Sequence, residues 1–238
     1  MASEMTASAQ SLVRTIQEVL HPVEQRLRQH PYLQALEAGA IASPRLQHFA
    51  GEQSYIIPSD LRSLALLVSR CAEPADQQFF CAVLQGEAAA FAALEPLLAA
   101  AGLTPAARAA YEPAPGAQAY SAYLAWLCLY GSAAEVAAAL TVNFAAWGAN
   151  CGRMARALRQ RYGWSEAAVQ FFTQFADAPA EVSPPALAVM AAGLQQGIAA
   201  PQMVRAARML QSYELMFWDT LYTLSMEETR AAAAGGTP

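Results

Sequence analysis

The stretch MLQSYELMFWDTLY, Met209 to Tyr222, decides the fold class. Around Glu214, the residues Leu210, Phe217, Trp218 and Leu221 fall at i−4, i+3, i+4 and i+7, which is one face of a helix and not the alternation of a strand. A stripe this bulky and apolar must be covered by other helices. The carboxyl in its middle therefore faces a bundle interior. Desolvation raises the pKa of such a group and suits it to general acid or base work. A glutamate bonded to a buried Tyr or Arg for purely structural reasons would produce the same pattern.

Working outward, helical periodicity continues nearly everywhere, and no convincing strand pattern appears. Helices are predicted over Ala7–Gln29 (Leu12, Ile16, Val19, Leu20 and Val23 on one face), Pro31–Ala38, Pro44–Ser69 with Ser43 as N-cap, Pro74–Ala101, Ala117–Tyr130, Ala133–Tyr162, Ser165–Ala176, Pro185–Ala199 and Pro201–Glu228. Gly39 and Gly102 sit where helices stop. Ser132 and Glu135 form a capping box, and Ser183-Pro184 is a cap followed by proline. The expectation is an all-α multihelical bundle, one domain over residues 1–230, with a low-complexity, disordered tail at 231–238.

Composition narrows the function classes. The 238 residues are 55% hydrophobic and only 14% charged, so most helices must be covered by one another or by a second copy. The 14 cationic residues are all Arg, the net charge is −5, and no basic stretch stands out, which argues against a nucleic-acid partner. The N-terminus lacks the pattern of a secretory signal. The nearest approach to a membrane span, Ala117–Ala146, is interrupted by Gly131, Ser132, Glu135 and Asn143. Cys71, Cys81, Cys128 and Cys151 are scattered, which reads as reduced cysteines of a cytoplasmic protein.

The informative residues are polar ones on apolar stripes. After Glu214 come Glu52, among His48, Phe49, Tyr55 and Ile56, and Glu87, among Val83, Leu84 and Phe91; both fit a plain interhelical role as well as a site. Asn143 and Asn150 lie a heptad apart with Trp147 between them, suggesting a polar pocket wall or an interhelical hydrogen bond. The three histidines, His21, His30 and His48, all fall early in the chain and no Glu-x-x-His occurs, so no metal site is expected. No cofactor is expected either: a haem would need an axial ligand, and only His21 is formally available.

Three segments together resemble the TenA / PqqC-like group of the haem-oxygenase-like fold. They are RQHPYLQALEAGAIASPRLQHFAGEQSYIIPSDLRSL (Arg28–Leu64), AYSAYLAWLCLYGSAAEVAAALTVNFAAWGANCG (Ala119–Gly152) and the opening stretch, whose Tyr-Glu-x-x-Phe-Trp at Tyr213 to Trp218 is the most specific. Members of the thiaminase II type hydrolyse aminopyrimidines or thiamin in thiamin salvage, stacking the pyrimidine between aromatic side chains. The resemblance implies Glu214 as acid/base, and a heterocycle-binding set of Gln53, Tyr55, Ile56, Tyr120, Asn143, Trp147, Phe175 and Tyr213. It also implies a homodimer or homotetramer. Two positions depart from the family pattern: Gln53 stands where it has an Asp, and Asn143 where it has a nucleophilic Cys. An amide cannot act as a thiolate. The resemblance therefore leaves two alternatives to hydrolysis: a non-catalytic small-molecule-binding protein, or an oxidase-type protein of the PqqC or CADD branches.

Overall fold

The structure, a computed structural model, describes residues 2–176 and 182–234, with side chains for 7–176 and 182–226. Among these residues there are eleven α-helices and no strand. They are α1 (Ala2–Arg28), α2 (Pro31–Glu37), α3 (Gln47–Arg70), α4 (Pro74–Ala92), α5 (Leu94–Ala100), α6 (Pro105–Ala109), α7 (Pro115–Tyr130), α8 (Ala133–Tyr162), α9 (Glu166–Ala176), α10 (Pro184–Gln195) and α11 (Ala200–Ala234). The two long helices α8 and α11 pack on each other and form the axis of the bundle. Helices α1, α2, α9 and α10 lie against α8, and α7 bridges α3 and α11.

Local chemistry explains the element ends. Ser132 Oγ accepts from the Glu135 amide while the Glu135 carboxylate accepts from the Ser132 amide, so both halves of the capping box form and α8 starts there. Ser183 caps α10 through the Ala186 amide. Gly39 and Gly102 adopt positive φ, 69° and 76°, after α2 and α5, where a β-carbon would be strained.

Several expectations need correcting. Ser43 does not cap α3; Ala42 is the cap residue of a short 3₁₀ turn, Ser43–Leu46, that leads into it. The helix predicted over Pro74–Ala101 is two helices, because Pro96 has no N–H to offer the Ala92 carbonyl. Thr104 caps the unexpected short helix α6 through the Ala107 amide. Val19 is 46% exposed, rotated away from the buried Leu12, Ile16 and Leu20. Helix α11 runs on to Ala234, so the first part of the tail is helical, and 235–238 lie outside the described residues. Among the described residues the stretch long and apolar enough to cross a membrane is Pro74–Ala100 (27 residues, mean hydropathy 1.3), not Ala117–Ala146; it is broken at Ala93 and carries Asp76, Glu87 and Glu95.

The larger aromatic cluster holds the bundle together under α11. Trp218, wholly buried, packs against Phe217, Trp147, Tyr32, Phe49 and His30 at ring-centroid distances of 5.3 to 6.4 Å. His30 is locked at the start of α2: Nδ1 accepts from the Tyr32 amide and Nε2 lies 3.0 Å from Asp219 Oδ1. Burial holds its pKa below the usual histidine value against the opposing pull of Asp219.

One glycine fixes how a wall of the site is placed. A β-carbon on Gly148 of α8 would sit 2.6 Å from the carbonyl oxygen of Phe175 in α9. Because that neighbour is backbone, it cannot rotate away. Gly148→Ala is expected to cost about 1–3 kcal/mol by forcing the helices apart, and to move Phe175. Thermal unfolding checks the cost; an unchanged melting point would show that α9 docks loosely.

Candidate functional site

Helices α3, α4, α7, α8, α9 and α11 line a partly open cavity with about 50 Å³ open to the centres of water-sized molecules. Gln53, Ile56, Ile57 and Asp60 line it from α3, Glu87 from α4, Tyr120 from α7, Asn143, Phe144 and Trp147 from α8, Phe175 from α9, and Glu214 and Phe217 from α11. A larger, mostly apolar groove of about 680 Å³ opens between α4, α9 and α10 on the other side of Glu87, Phe144 and Phe175, which border both spaces.

A hydrogen-bonded chain organises one wall. Tyr120 donates its hydroxyl to Asn143 Oδ1 at 2.9 Å. Asn143 Nδ2 donates to Glu214 Oε2 at 2.7 Å and to Gln211 Oε1 at 3.3 Å. Trp218 Nε1 donates to the other carboxyl oxygen of Glu214 at 3.1 Å. The Asn143 amide has one consistent orientation, since its oxygen faces a hydroxyl and its nitrogen faces acceptors. Each Glu214 oxygen thus takes one protein donor and keeps a lone pair for a proton or a ligand. Burial pushes Glu214 up to about 8; the Trp218 bond opposes the shift, and the charge of Glu24 adds to it. An acid at that value can lend or take a proton near neutrality.

Of the residues implied by the resemblance, the cavity brings together Gln53, Ile56, Tyr120, Asn143, Trp147, Phe175 and Glu214. Tyr55 and Tyr213 lie elsewhere. Tyr55 is 39% exposed, donates to the Tyr111 carbonyl, and faces a separate surface groove. It follows Gln53 by two residues, and such neighbours do not share a helix face. Tyr213, next to Glu214 in sequence, is likewise turned aside and packs on Tyr123 at 5.2 Å. Asn150 points away too, its Nδ2 reaching the Leu27 carbonyl at 3.4 Å to tie α8 to α1.

Glu52 has a structural role. Its buried carboxylate accepts from the Tyr111 hydroxyl (2.9 Å), the Ala114 amide (2.8 Å) and Gln118 Nε2 (2.5 Å), which pins the start of α7 to α3. Cys151 does not reach the cavity: it is wholly buried in the core, where desolvation holds its thiol protonated.

Sequence reasoning misses Asp60, although it lies seven residues after Gln53 and so on the same helix face. It is buried, takes a 2.6 Å hydrogen bond from Ser121, and is pushed up to about 7 by desolvation against the pull of that bond. Glu87 is only half-buried as a residue, but its carboxyl end reaches inward: Oε1 is fully buried and has no hydrogen-bond partner. Desolvation, with the charge of Asp60 behind it, raises Glu87 well above the usual carboxylate range. Phe144 and Phe217 complete the aromatic wall. Although three carboxyls line the cavity, the described residues contain no group of three His, Cys, Asp or Glu side chains placed to hold a metal ion.

The fold is that of known proteins. It is similar to a TenA homologue from Pyrococcus furiosus (TM-score 0.70, 17% identity, 89% of this chain and 100% of that one). It is also similar to a TenA homolog from Pseudomonas syringae pv. tomato (0.73, 13%, 88% and 92%). A third neighbour is a domain of unknown function with a haem-oxygenase-like fold from Shewanella denitrificans (0.64, 12%, 100% and 97%). No curated protein sequence matches. A sequence model of the TENA/THI-4/PQQC family matches residues 17–224, nearly the whole bundle and every residue that lines the cavity, and the chain therefore belongs to that family.

Proposed function

We propose that the cavity binds a small planar heterocycle of the aminopyrimidine type, with Glu214 exchanging a proton with the ring. The observation that carries this reading is the Tyr120–Asn143–Glu214 chain, which ends in a buried acid held near neutrality beside the aromatic walls of Trp147, Phe175 and Phe217. A flat ring has faces for those walls and edge nitrogens for the acid. Membership of a family whose thiaminase-type members handle aminopyrimidines supports the ligand class. In the hydrolytic form of the reading, no thiol lines the cavity, so water adds to the ring carbon that bears the amino group. Glu214 first gives its proton to a ring nitrogen, then, as the carboxylate, takes a proton from the attacking water and passes it to the amino group that leaves as ammonia.

Thermal unfolding with 4-aminopyrimidines and with thiamin tests the reading. A ligand at 100 times its Kd adds about 2.7 kcal/mol, roughly 5–10 °C for a chain of this length. The shift should appear with the wild type and shrink in Glu214→Gln, which keeps the polarity of the site but cannot exchange a proton. The absence of any shift, or equal shifts in both proteins, would overturn the reading. Ammonia release in the presence of a bound aminopyrimidine would separate hydrolysis from binding alone.

A further inference from the structure

The α3 and α4 side of the cavity contains a pair of acids that the proton-exchange reading leaves unused. Asp60 and Glu87 face the same cavity from α3 and α4, close enough that the charge of Asp60 raises the proton affinity of Glu87. Asp60 has the Ser121 hydroxyl as its donor, while Glu87 Oε1 is buried with no partner at all. Buried carboxyl oxygens are ordinarily satisfied, and buried carboxylates ordinarily paired with a cation. Among the described residues no Arg or His lines the cavity, and the chain has no Lys. Without a counter-cation Asp60 and Glu87 keep their protons to higher pH than ordinary carboxyls, and a positively charged group rich in N–H donors would release those protons and pair the carboxylates.

Glu87 also borders the apolar groove between α4, α9 and α10, so the unpaired carboxyl stands between the cavity and that groove. Glu87 is within reach of a ligand in the groove, whereas Glu214 borders only the cavity. The two carboxyls of Asp60 and Glu87 come from different helices, which suits them to the two N–H groups of one planar amidine-like edge.

We propose that Asp60 and Glu87 form a cation-recognising pair, and that the ligand of this cavity is bound as an amidinium-type cation, its N–C–N edge against the pair and one ring face toward Glu214. The proposal rests on the heterocycle-binding reading of the cavity and makes it narrower: the ring must be basic and carry an exocyclic amino group beside a ring nitrogen. Neutral rings of the same shape then leave Glu87 unpaired and bind poorly. Gln53, a neutral amide on the Asp60 face of α3, would orient the ring without contributing charge.

The test compares benzamidinium with benzamide, which match in size and flatness and differ in charge and in one amino group in place of a carbonyl oxygen, by calorimetric titration of the full chain at neutral pH. A charge-assisted pair of hydrogen bonds should make benzamidinium bind at least about tenfold tighter. Glu87→Gln and Asp60→Asn should each bring the ratio close to one, with benzamide still bound and the melting point no lower than that of the wild type; having two variants guards against a single misfolded one. Equal binding of the two probes by the wild type would overturn the proposal, as would an undiminished preference in folded Glu87→Gln. If aminopyrimidines shift the melting point equally in wild type and Glu87→Gln, the pair falls while the heterocycle reading stands. If only the amidinium preference is seen, and Glu87→Gln removes it, the pair stands and the aminopyrimidine assignment falls.

Discussion

Replacing Trp218 with alanine is expected to be the most destabilising single change in the chain, costing about 3–5 kcal/mol. A melting point lower by roughly 8–15 °C would follow. The side chain is wholly buried and its ring meets five others drawn from α2, α3, α8 and α11 and the residue that opens α2, so its removal leaves a void that helices fixed at several other points cannot fill. The loss is large against the roughly 5–15 kcal/mol typical of a folded domain. It also has a chemical side. Trp218 Nε1 is one of two protein donors to Glu214 and holds its pKa down against desolvation. Trp218→Phe keeps most of the packing and drops the donor. It should cost far less in stability and still push the titration of Glu214 higher. Thermal unfolding of the two variants checks the packing component, and the pH dependence of aminopyrimidine binding checks the electrostatic one. Equal melting points for Trp218→Ala and the wild type would mean that the aromatic cluster is not what joins α11 to the bundle.

Trp218 also shows why part of the site can be read from the sequence. Within one helix, spacing fixes which residues share a face, so Glu214 can be placed among Leu210, Phe217 and Trp218 from the sequence alone, and the structure finds it buried there. Asn143 and Trp147 on α8 are a second such case. The limit of that logic is set by packing between helices. Nothing in α3 or α4 taken separately says that Asp60 and Glu87 meet across one cavity. That juxtaposition depends on how α4 lies against α3, which many contacts of low specificity determine together. Tyr55 and Tyr213 fail for a different reason. Each stands within two residues of a cavity residue, and a single residue step turns a side chain by about 100° around a helix. The break between α4 and α5 has a purely local cause: Pro96 cannot donate to Ala92, and an uninterrupted helix through it would be costly.

The second large effect is the pH dependence of stability that Glu214 imposes. Its carboxyl titrates near 4.5 in the unfolded chain and at about 8 when folded. Across that window the folded state holds a proton that the unfolded state has released, so unfolding loses a proton and stability falls as pH rises from about 4.5 to 8, levelling off beyond. Asp60 and Glu87, raised by the same desolvation, act in the same direction. His30 and His48, held below their usual value by burial, act the opposite way and weaken the fold as pH drops below the histidine range. The wild-type curve is therefore a sum, and the contribution of Glu214 is isolated by subtracting it from the curve of Glu214→Gln. The amide keeps an acceptor for Trp218 Nε1 or Asn143 Nδ2 and has nothing to titrate. The difference in unfolding free energy should be small at pH 5 and grow steadily through neutrality. By pH 9 it should favour the variant by about 3–5 kcal/mol, since each tenfold change in proton affinity between the two states is worth about 1.4 kcal/mol. Urea unfolding at half-unit pH steps measures it. A flat difference would mean that Glu214 ionises as freely in the bundle as in water, and the acid that the Tyr120–Asn143 chain holds ready near neutrality would no longer exist. A rising difference would show that the fold itself bears the cost of keeping that acid protonated, a cost a ligand sharing the proton would relieve.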